Sequence, residues 1–452
     1  MAGLKQIMSS LYKIKPGILI RPEYFGGLII DTNNNVYYQI PKYDTLVLFS
    51  LKYVSDIDAI RAVLLNKFNI EDDTFDHKIY ENAGFIVGTH SPTPVKSQQK
   101  YMDIIENYLN KENRSNHLSA PLNITIYPSF ACQADCEFCY VKNYCNEDLG
   151  IMSLESLKRL IDEIEDLQVP YVSILGGEPL LLPYIEKLLD YMSKKNIVFN
   201  ITTNGFLLND KIIYYVRRYK NIHLSVSLQS VDDYHTSVTK INYKNILSNI
   251  RKAEGNCRIN TVFFKQSLKQ LESLVDFVYC EGIKSFTIVL YNNIMLDPQS
   301  QINNHVRFLK TKLHLAEYIR QKNYNINFRA EGCLQYLFEN NVEIFPRSDI
   351  EKIFAKCEAG NLKLEILPNG DTIGCTALNN SSFKSGNVFK NKLKDIWDYD
   401  DKLNLLRDSL CKDEECNNCR YYSFCNGGCP AQRSLKNKKF EIKRDSRCLM
   451  KI

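Results

Sequence analysis

An α/β fold built around a parallel sheet is predicted from three observations. Short apolar runs alternate with amphipathic stretches through the middle of the chain. Glycine, serine, asparagine and cysteine cluster directly after those runs, where barrel-type α/β folds carry their active residues. Fifteen cysteines gather into two dense groups rather than spreading along the chain. A length of 452 residues fits about three domains. With 44% apolar and 24% charged residues the chain is globular, and a net charge of +5 dictates no nucleic-acid or other polyanion partner. No apolar run of about 18 residues is present, so no membrane-spanning helix is expected.

The first 118 residues read as a separate unit. Ile18-Leu19-Ile20-Arg21, Gly27-Leu28-Ile29-Ile30-Asp31 and Val36-Tyr37-Tyr38-Gln39-Ile40 are strand-like, and the Asp31–Asn35 segment is a hairpin turn by composition. Helical patterns follow at 43–53, 57–68 and 76–82, the second with Ile60, Val63, Leu64 and Phe68 on one face. Three strands and three helices predict a winged-helix-like domain over residues 1–88. A DNA-binding wing is disfavoured, because Asp56, Asp58, Glu71, Asp72, Asp73 and Asp76 dilute any basic stripe. Residues 89–118 are polar and charged and read as a linker.

In the central region the strand-like runs are the apolar stretch with Ile124, Ile126 and Tyr127, then Tyr171–Leu175, the run from Val198 that ends in a turn at Gly205, Leu224–Leu228 and 282–290. Helical stretches at 153–167, 182–195 and 240–253 lie between them. Straight after the first strand comes Cys132-x3-Cys136-x2-Cys139. Three thiolates in one loop leave a cubane iron–sulfur cluster with one open iron, able to take a ligand. Zinc usually takes four protein ligands, often in paired C-x-x-C units, and no second pair lies close by in sequence. Gly176-Gly177-Glu178-Pro179 follows the second strand, where two glycines allow close backbone approach to a ligand. Thr203-Asn204-Gly205 follows the third strand, and Ser227 ends the fourth.

This pattern resembles the radical S-adenosylmethionine (SAM) enzymes, whose signature is C-x-x-x-C-x-aromatic-C with Phe138 in the aromatic slot. The resemblance implies a partial (β/α)6 barrel, assigned to residues 119–325. It also implies a [4Fe–4S] cluster on Cys132, Cys136 and Cys139 whose open iron chelates SAM. Reductive cleavage would then release a 5′-deoxyadenosyl radical that abstracts a substrate hydrogen. By the same resemblance Phe138, Tyr140, Gly176, Gly177, Glu178, Pro179, Thr203, Asn204, Ser227 and Ile288 would contact the cofactor. Lys240 would pair with its carboxylate, because Gln229 and Thr239 stand where relatives carry Asp and Arg. Cys145 lies outside the pattern and is expected to be structural.

Nine cysteines lie between Cys333 and Cys448, a density no average composition produces. A disulfide framework and a zinc ribbon are the alternatives. Nothing suggests export, since the first eight residues lack the h-region of a signal peptide. The spacing (Cys357, twelve residues, Gly370, four residues, Cys375, then Cys416-x2-Cys419-x5-Cys425-x3-Cys429 and Cys448) resembles the SPASM extension, over residues 326–452. That resemblance implies two auxiliary [4Fe–4S] clusters, three clusters in all. Cys357, Cys375 and Cys429 would serve the nearer one, and Cys416, Cys419, Cys425 and Cys448 the farther one. Either the nearer cluster keeps an open iron, or Cys333 closes it. Cys411 is expected to be structural.

The N-terminal unit resembles the recognition element of enzymes that mature ribosomally made peptides. There a leader peptide adds a strand, here at the edge of Val36–Ile40 beside the 77–82 helix. Taken together, the resemblances imply a peptide maturase in a reducing cytoplasm, with an external electron donor of the flavodoxin or ferredoxin type. A thioether crosslink is the first expectation and a carbon–carbon crosslink the second. Peptide epimerisation, or protein side-chain maturation of the anaerobic sulfatase-activator kind, are alternatives. A non-catalytic peptide-binding protein is opposed by the intact cysteine triad.

Overall fold

The computed structural model describes residues 11–90, 102–103, 105–106, 109, 117–144, 149–291, 298–333, 356–378, 383–408, 411, 413–419, 421–434 and 443–448. Two compact units result, 1–119 and 120–452.

In the first unit, β1 (Tyr12–Ile14), β2 (Ile18–Glu23), β3 (Gly26–Asp31) and β4 (Val36–Ile40) precede α1 (Lys42–Ser50), α2 (Ile57–Phe68) and α3 (His77–Asn82), and β5 (Ile86–Gly88) closes it. β2, β3 and β4 form an antiparallel sheet in that order, with Ile20 opposite Ile29 and Ile29 opposite Tyr38. The Asp31 carboxylate accepts the N–H groups of Asn33 and Asn34, and Asn35 takes the left-handed conformation (φ 55°) that closes the turn. Leu46, Val47, Ile57, Ile60 and Leu64 are buried behind this sheet. Asp56 caps α2 by accepting from Ala59 N, and Asp76 caps α3 by accepting from Lys78 N. The small antiparallel pair β1–β5, which the sequence pattern did not announce, ties the start of the unit to its end. β4 is the last strand of its sheet, with Val36 and Tyr38 exposed.

In the second unit β6 (Asn123–Ile126), α4 (Leu154–Asp166), β7 (Tyr171–Ile174), α5 (Ile185–Met192), β8 (Val198–Thr203), α6 (Asp210–Arg218), β9 (Ile222–Ser227), α7 (Asp233–Thr239), α8 (Tyr243–Lys252), β10 (Arg258–Phe263), α9 (Leu268–Cys280), β11 (Ser285–Leu290), α10 (Pro298–Gln321) and β12 (Asn327–Glu331) alternate. β6 to β12 lie side by side in sequence order, all parallel. Six strand–helix units are therefore followed by a seventh parallel strand, as a partial barrel requires. Leu157, Leu160, Ile161 and Ile164 recur at helical spacing on α4 and are all buried against the sheet.

The sheet does not stop at residue 325. β12 extends one edge, and β13 (Lys363–Ile366) pairs in parallel with β6 on the other, Ile124 beside Leu364. β14 (Thr372–Ile373) then turns back antiparallel on β13. Helices α11 (Leu393–Tyr399) and α12 (Asp401–Arg407) follow, with Trp397 fully buried.

Three helix and strand expectations shift. The helix expected over 240–253 begins only at Tyr243. Lys240 adopts φ 63° at the end of α7, and Asn242 starts α8 by accepting from Lys244 N. The 182–195 helix begins only at Ile185, after a 3₁₀ turn at Pro179–Leu181. The late strand starts at Ser285, because Gly282 (φ 68°) closes the preceding helix. No helix among the described residues is long and apolar enough to cross a membrane.

Candidate active site

The first cysteine group occupies the loop that leaves the carboxyl end of β6. Cys132 is exposed, and Cys136 and Cys139 are half-buried. The loop is pinned on two sides. Gly177 N donates to Ser129 O at 3.0 Å and Glu178 N to Ala131 O at 2.8 Å, from the turn after β7. Asp135 N and Glu137 N donate to the last carbonyls of α7, Thr239 O (3.1 Å) and Val238 O (2.9 Å). Those acceptors are the carbonyls a helix end leaves without internal partners, so one contact satisfies both elements.

The glycines of Gly176-Gly177 admit this contact. A Cβ on Gly176 would sit 2.2 Å from Ser129 O, and one on Gly177 would sit 2.1 Å from Ala131 O. Gly176 also holds φ 139°. What approaches closely is the backbone of the cysteine loop itself. Phe138 is likewise a packing residue, 9% exposed and edge-on to Phe264 at 5.9 Å.

Glu178 is buried and fully engaged within the protein. Its Oε1 accepts Leu180 N (3.0 Å) and Thr203 Oγ1 (2.7 Å), and its Oε2 accepts Asn204 N (2.8 Å). Burial raises its carboxyl above the usual range while these donors oppose the rise. The carboxylate thus clamps the tip of β8. Through that clamp Asn204 reaches the cysteine loop, accepting from Gln133 Nε2 at 3.3 Å and lying 3.9 Å from Cys132 Sγ. Sequence reasoning missed Gln133, which carries no motif signal.

Ser227, half-buried at the end of β9, accepts from Gln229 Nε2 at 3.0 Å. Gln229, in the slot expected for Asp, is fully buried, and its Oε1 accepts Val262 N at 2.9 Å. Lys240 is the residue that ends α7. Its ammonium donates to Ser237 O at 2.6 Å and its charge bears on Asp135. Ile288 is fully buried in the main core, which accounts for it without a ligand. Pro179 starts the 3₁₀ turn and is buried. Tyr140 sits beside Tyr127, ring centroids 6.4 Å apart, and Tyr127 Oη donates to Glu365 Oε2 at 3.0 Å. Cys145 lies outside the described residues.

The strands also carry polar residues on alternate positions, another feature sequence reasoning passed over. Ser173 bonds Asn123 across β7 and β6 at 3.4 Å, and Ser225 bonds Asn200 across β9 and β8 at 2.8 Å. Polar pairs on the inward positions of a parallel sheet suit a barrel that holds a polar occupant better than one filled with aliphatic layers.

The second cysteine group falls into two sets. Cys357 lies within electrostatic range of Cys375 and Cys429, and the exposed Cys333 lies within range of all three. Cys416, Cys419, Cys425 and Cys448 line a separate small cleft with Tyr421 and Arg444. Cys411 is not remote from this set. It is 1% exposed, its Sγ lies 3.8 Å from that of Cys416, and Gly427 leaves room for it. Burial and neighbouring thiols push Cys136, Cys375 and Cys416 up to about 12 and Cys429 to about 11. By donor type these groups suit iron–sulfur clusters, whose iron would take the place of the protons, although among the described residues no three such side chains already converge on a metal position.

The comparisons decide the family. The radical SAM superfamily model matches residues 126–278, and the iron–sulfur cluster-binding SPASM model matches residues 357–420. The chain carries a radical SAM domain and a SPASM domain. Bound to a radical SAM domain, SAM and its iron–sulfur cluster supply a radical that removes hydrogen from an unactivated carbon. This radical SAM enzyme is 24% identical over 339 residues to the antilisterial bacteriocin subtilosin biosynthesis protein AlbA of Bacillus subtilis, covering 72% of this chain and 70% of that one. It is 23% identical over 328 residues to the mycofactocin maturase MftC of Mycobacterium tuberculosis, covering 70% and 80%. Among solved structures, Streptococcus suis SuiB bound to precursor peptide SuiA superposes with a TM-score of 0.83 at 26% identity, over 97% of this chain and all of that one.

Proposed function

We propose that this radical SAM enzyme modifies a ribosomally made precursor peptide by forming a crosslink within it. The carrying observation is the cysteine loop pinned at the carboxyl end of the barrel strands by the Gly176-Gly177-Glu178 turn. That arrangement places three thiols at the mouth of a polar barrel interior. Precursor peptide in the SuiB structure and the biosynthetic names of AlbA and MftC support a peptide substrate. The edge strand β4, with Val36 and Tyr38 exposed, supports docking of a leader segment by strand addition.

Cys132, Cys136 and Cys139 would hold the SAM-binding [4Fe–4S] cluster, and the two C-terminal groups one cluster each. With Cys333 beside Cys357, Cys375 and Cys429, four thiols are available at the nearer auxiliary site. A site closed by four thiolates accepts electrons but offers no iron to a substrate sulfur. This grouping favours carbon–carbon closure over the thioether that an open iron would favour. In that closure the deoxyadenosyl radical takes one hydrogen from a substrate carbon. The carbon radical then bonds a second carbon, and that product loses one proton and passes one electron to an oxidised cluster. The peptide becomes lighter by two hydrogens.

Anaerobic co-expression with the short peptide encoded beside the gene, followed by mass spectrometry, tests this. A loss of about 2 Da with every peptide cysteine still alkylatable supports the carbon–carbon crosslink. The same mass loss with one cysteine blocked returns the thioether. Unchanged mass with solvent deuterium at an α carbon means epimerisation. An untouched peptide despite deoxyadenosine formation refutes the peptide reading and points to protein side-chain maturation.

A further inference from the structure

Two cations stand beside the nearer thiol group, each tied to its own carboxylate. The Arg447 and Asp445 side chains are wholly buried and form a two-pronged pair, Nη2 to Oδ2 at 2.7 Å and Nε to Oδ1 at 3.0 Å. The same Asp445 Oδ2 accepts the N–H of Cys429 at 3.0 Å. On the other flank Lys363 Nζ lies 2.8 Å from Glu365 Oε1. Glu365 Oε2 accepts the N–H of Thr376, the neighbour of Cys375, at 3.1 Å. The guanidinium charge bears on Cys429 and Cys333, and the ammonium charge on Cys375 and Cys333. Nothing in holding the fold alone requires two charged pairs here, since apolar packing of similar volume stabilises as well or better.

A cluster with four thiolates is anionic, and each added electron makes it more so. A buried cation nearby favours the reduced form, and net charge is one of the levers that set a cluster's potential. We propose that Lys363 and Arg447 hold up the reduction potential of the nearer auxiliary cluster, so that it takes the electron released when the substrate closes. Glu365 and Asp445 act through these cations and position the backbone on either side of the site. The proposal rests on the reading that Cys333, Cys357, Cys375 and Cys429 hold a [4Fe–4S] cluster.

Redox titration of the reconstituted full-length enzyme, followed by electron paramagnetic resonance, provides the test. The signal abolished by Cys375→Ala identifies the nearer cluster. Lys363→Met is expected to move that midpoint to lower potential at unchanged iron content, and Lys363→Arg to restore it. Glu365→Gln, which removes a negative charge but keeps an acceptor for Thr376 N–H, is expected to move it to higher potential. Shifts of opposite sign from the two partners are not what loss of packing would give. Midpoints that stay fixed, or that move the same way in both variants, overturn the proposal. Arg447→Met is expected to lower the same midpoint. Should it fail to fold, the Lys363 and Glu365 variants still decide. If Cys357→Ala and Cys375→Ala remove neither iron nor signal, the cluster reading itself falls and takes the proposal with it.

Discussion

Replacing Glu178 with alanine should damage SAM binding without touching any cysteine. The carboxylate is 2% exposed and accepts three hydrogen bonds, from Leu180 N, Thr203 Oγ1 and Asn204 N. Alanine leaves two of these donors, the backbone N–H groups, without a buried acceptor, at roughly 1–3 kcal/mol each. Relief from burying a charge offsets part of this, so a net loss of about 2–4 kcal/mol is expected. The strain falls on Asn204, which holds Gln133 of the cysteine loop. If about 1.4 kcal/mol of it is spent reclosing that loop, apparent SAM affinity drops tenfold. Glu178→Gln is no safe isostere, because its amide must face either Asn204 N or the Thr203–Leu180 donors. Anaerobic calorimetric titration of SAM, together with the melting midpoint, measures both effects. An alanine variant that binds SAM as the parent does, with an unchanged midpoint, would refute the clamp.

Gly177→Ala puts a methyl 2.1 Å from one backbone oxygen and 2.5 Å from another, neither able to swing aside. It should cost about 1–3 kcal/mol and lower iron bound at the first cysteine group while the C-terminal groups keep theirs, as iron analysis and spectroscopy would show. Lys240→Gly should raise stability by about 1 kcal/mol, since φ 63° strains lysine but not glycine. It should change SAM affinity less than twofold, and a tenfold loss would restore a carboxylate-pairing role. His235 is held near 4, against 6.5 when free, by burial. The unfolded chain therefore binds its proton first. The stability at stake is intact above pH 6.5, falls as pH drops through that window, and is gone near pH 4, a loss of roughly 3 kcal/mol. His235→Gln, which still offers an acceptor to Gln229 N, should lose less midpoint between pH 7.5 and 5.5 than the parent.

Local chemistry was legible in the sequence where one segment carries the whole signal. Cys132, Cys136 and Cys139 announce a cluster by spacing alone, and Ile57–Phe68 announces its helix by periodicity and an Asp cap. Partners distant in the chain were not legible. That Ala131 O lies against Gly177, and that Cys333 lies within electrostatic range of three thiols from later segments, is readable from neither segment alone. β12 escaped notice because its residues, Asn-Phe-Arg-Ala-Glu, are mostly polar for a strand that extends a buried sheet. Lys240 was singled out by its side-chain charge, whereas its left-handed backbone angle carries no signal in the sequence.

The parallel seam between β13 and β6 bears on how such enzymes can be cut and recombined. Four residues of the cluster-bearing tail run alongside the very strand that launches the SAM-site loop. Severing the chain after residue 325 would strip that strand of its neighbour and leave a row of amide and carbonyl groups bare on a flat apolar edge. The tail is therefore no pendant cartridge that could be exchanged between relatives at a linker. A graft that respects the protein must carry residues 359–373 with the barrel, and a fragment that omits them is expected to precipitate rather than to survive as a smaller enzyme.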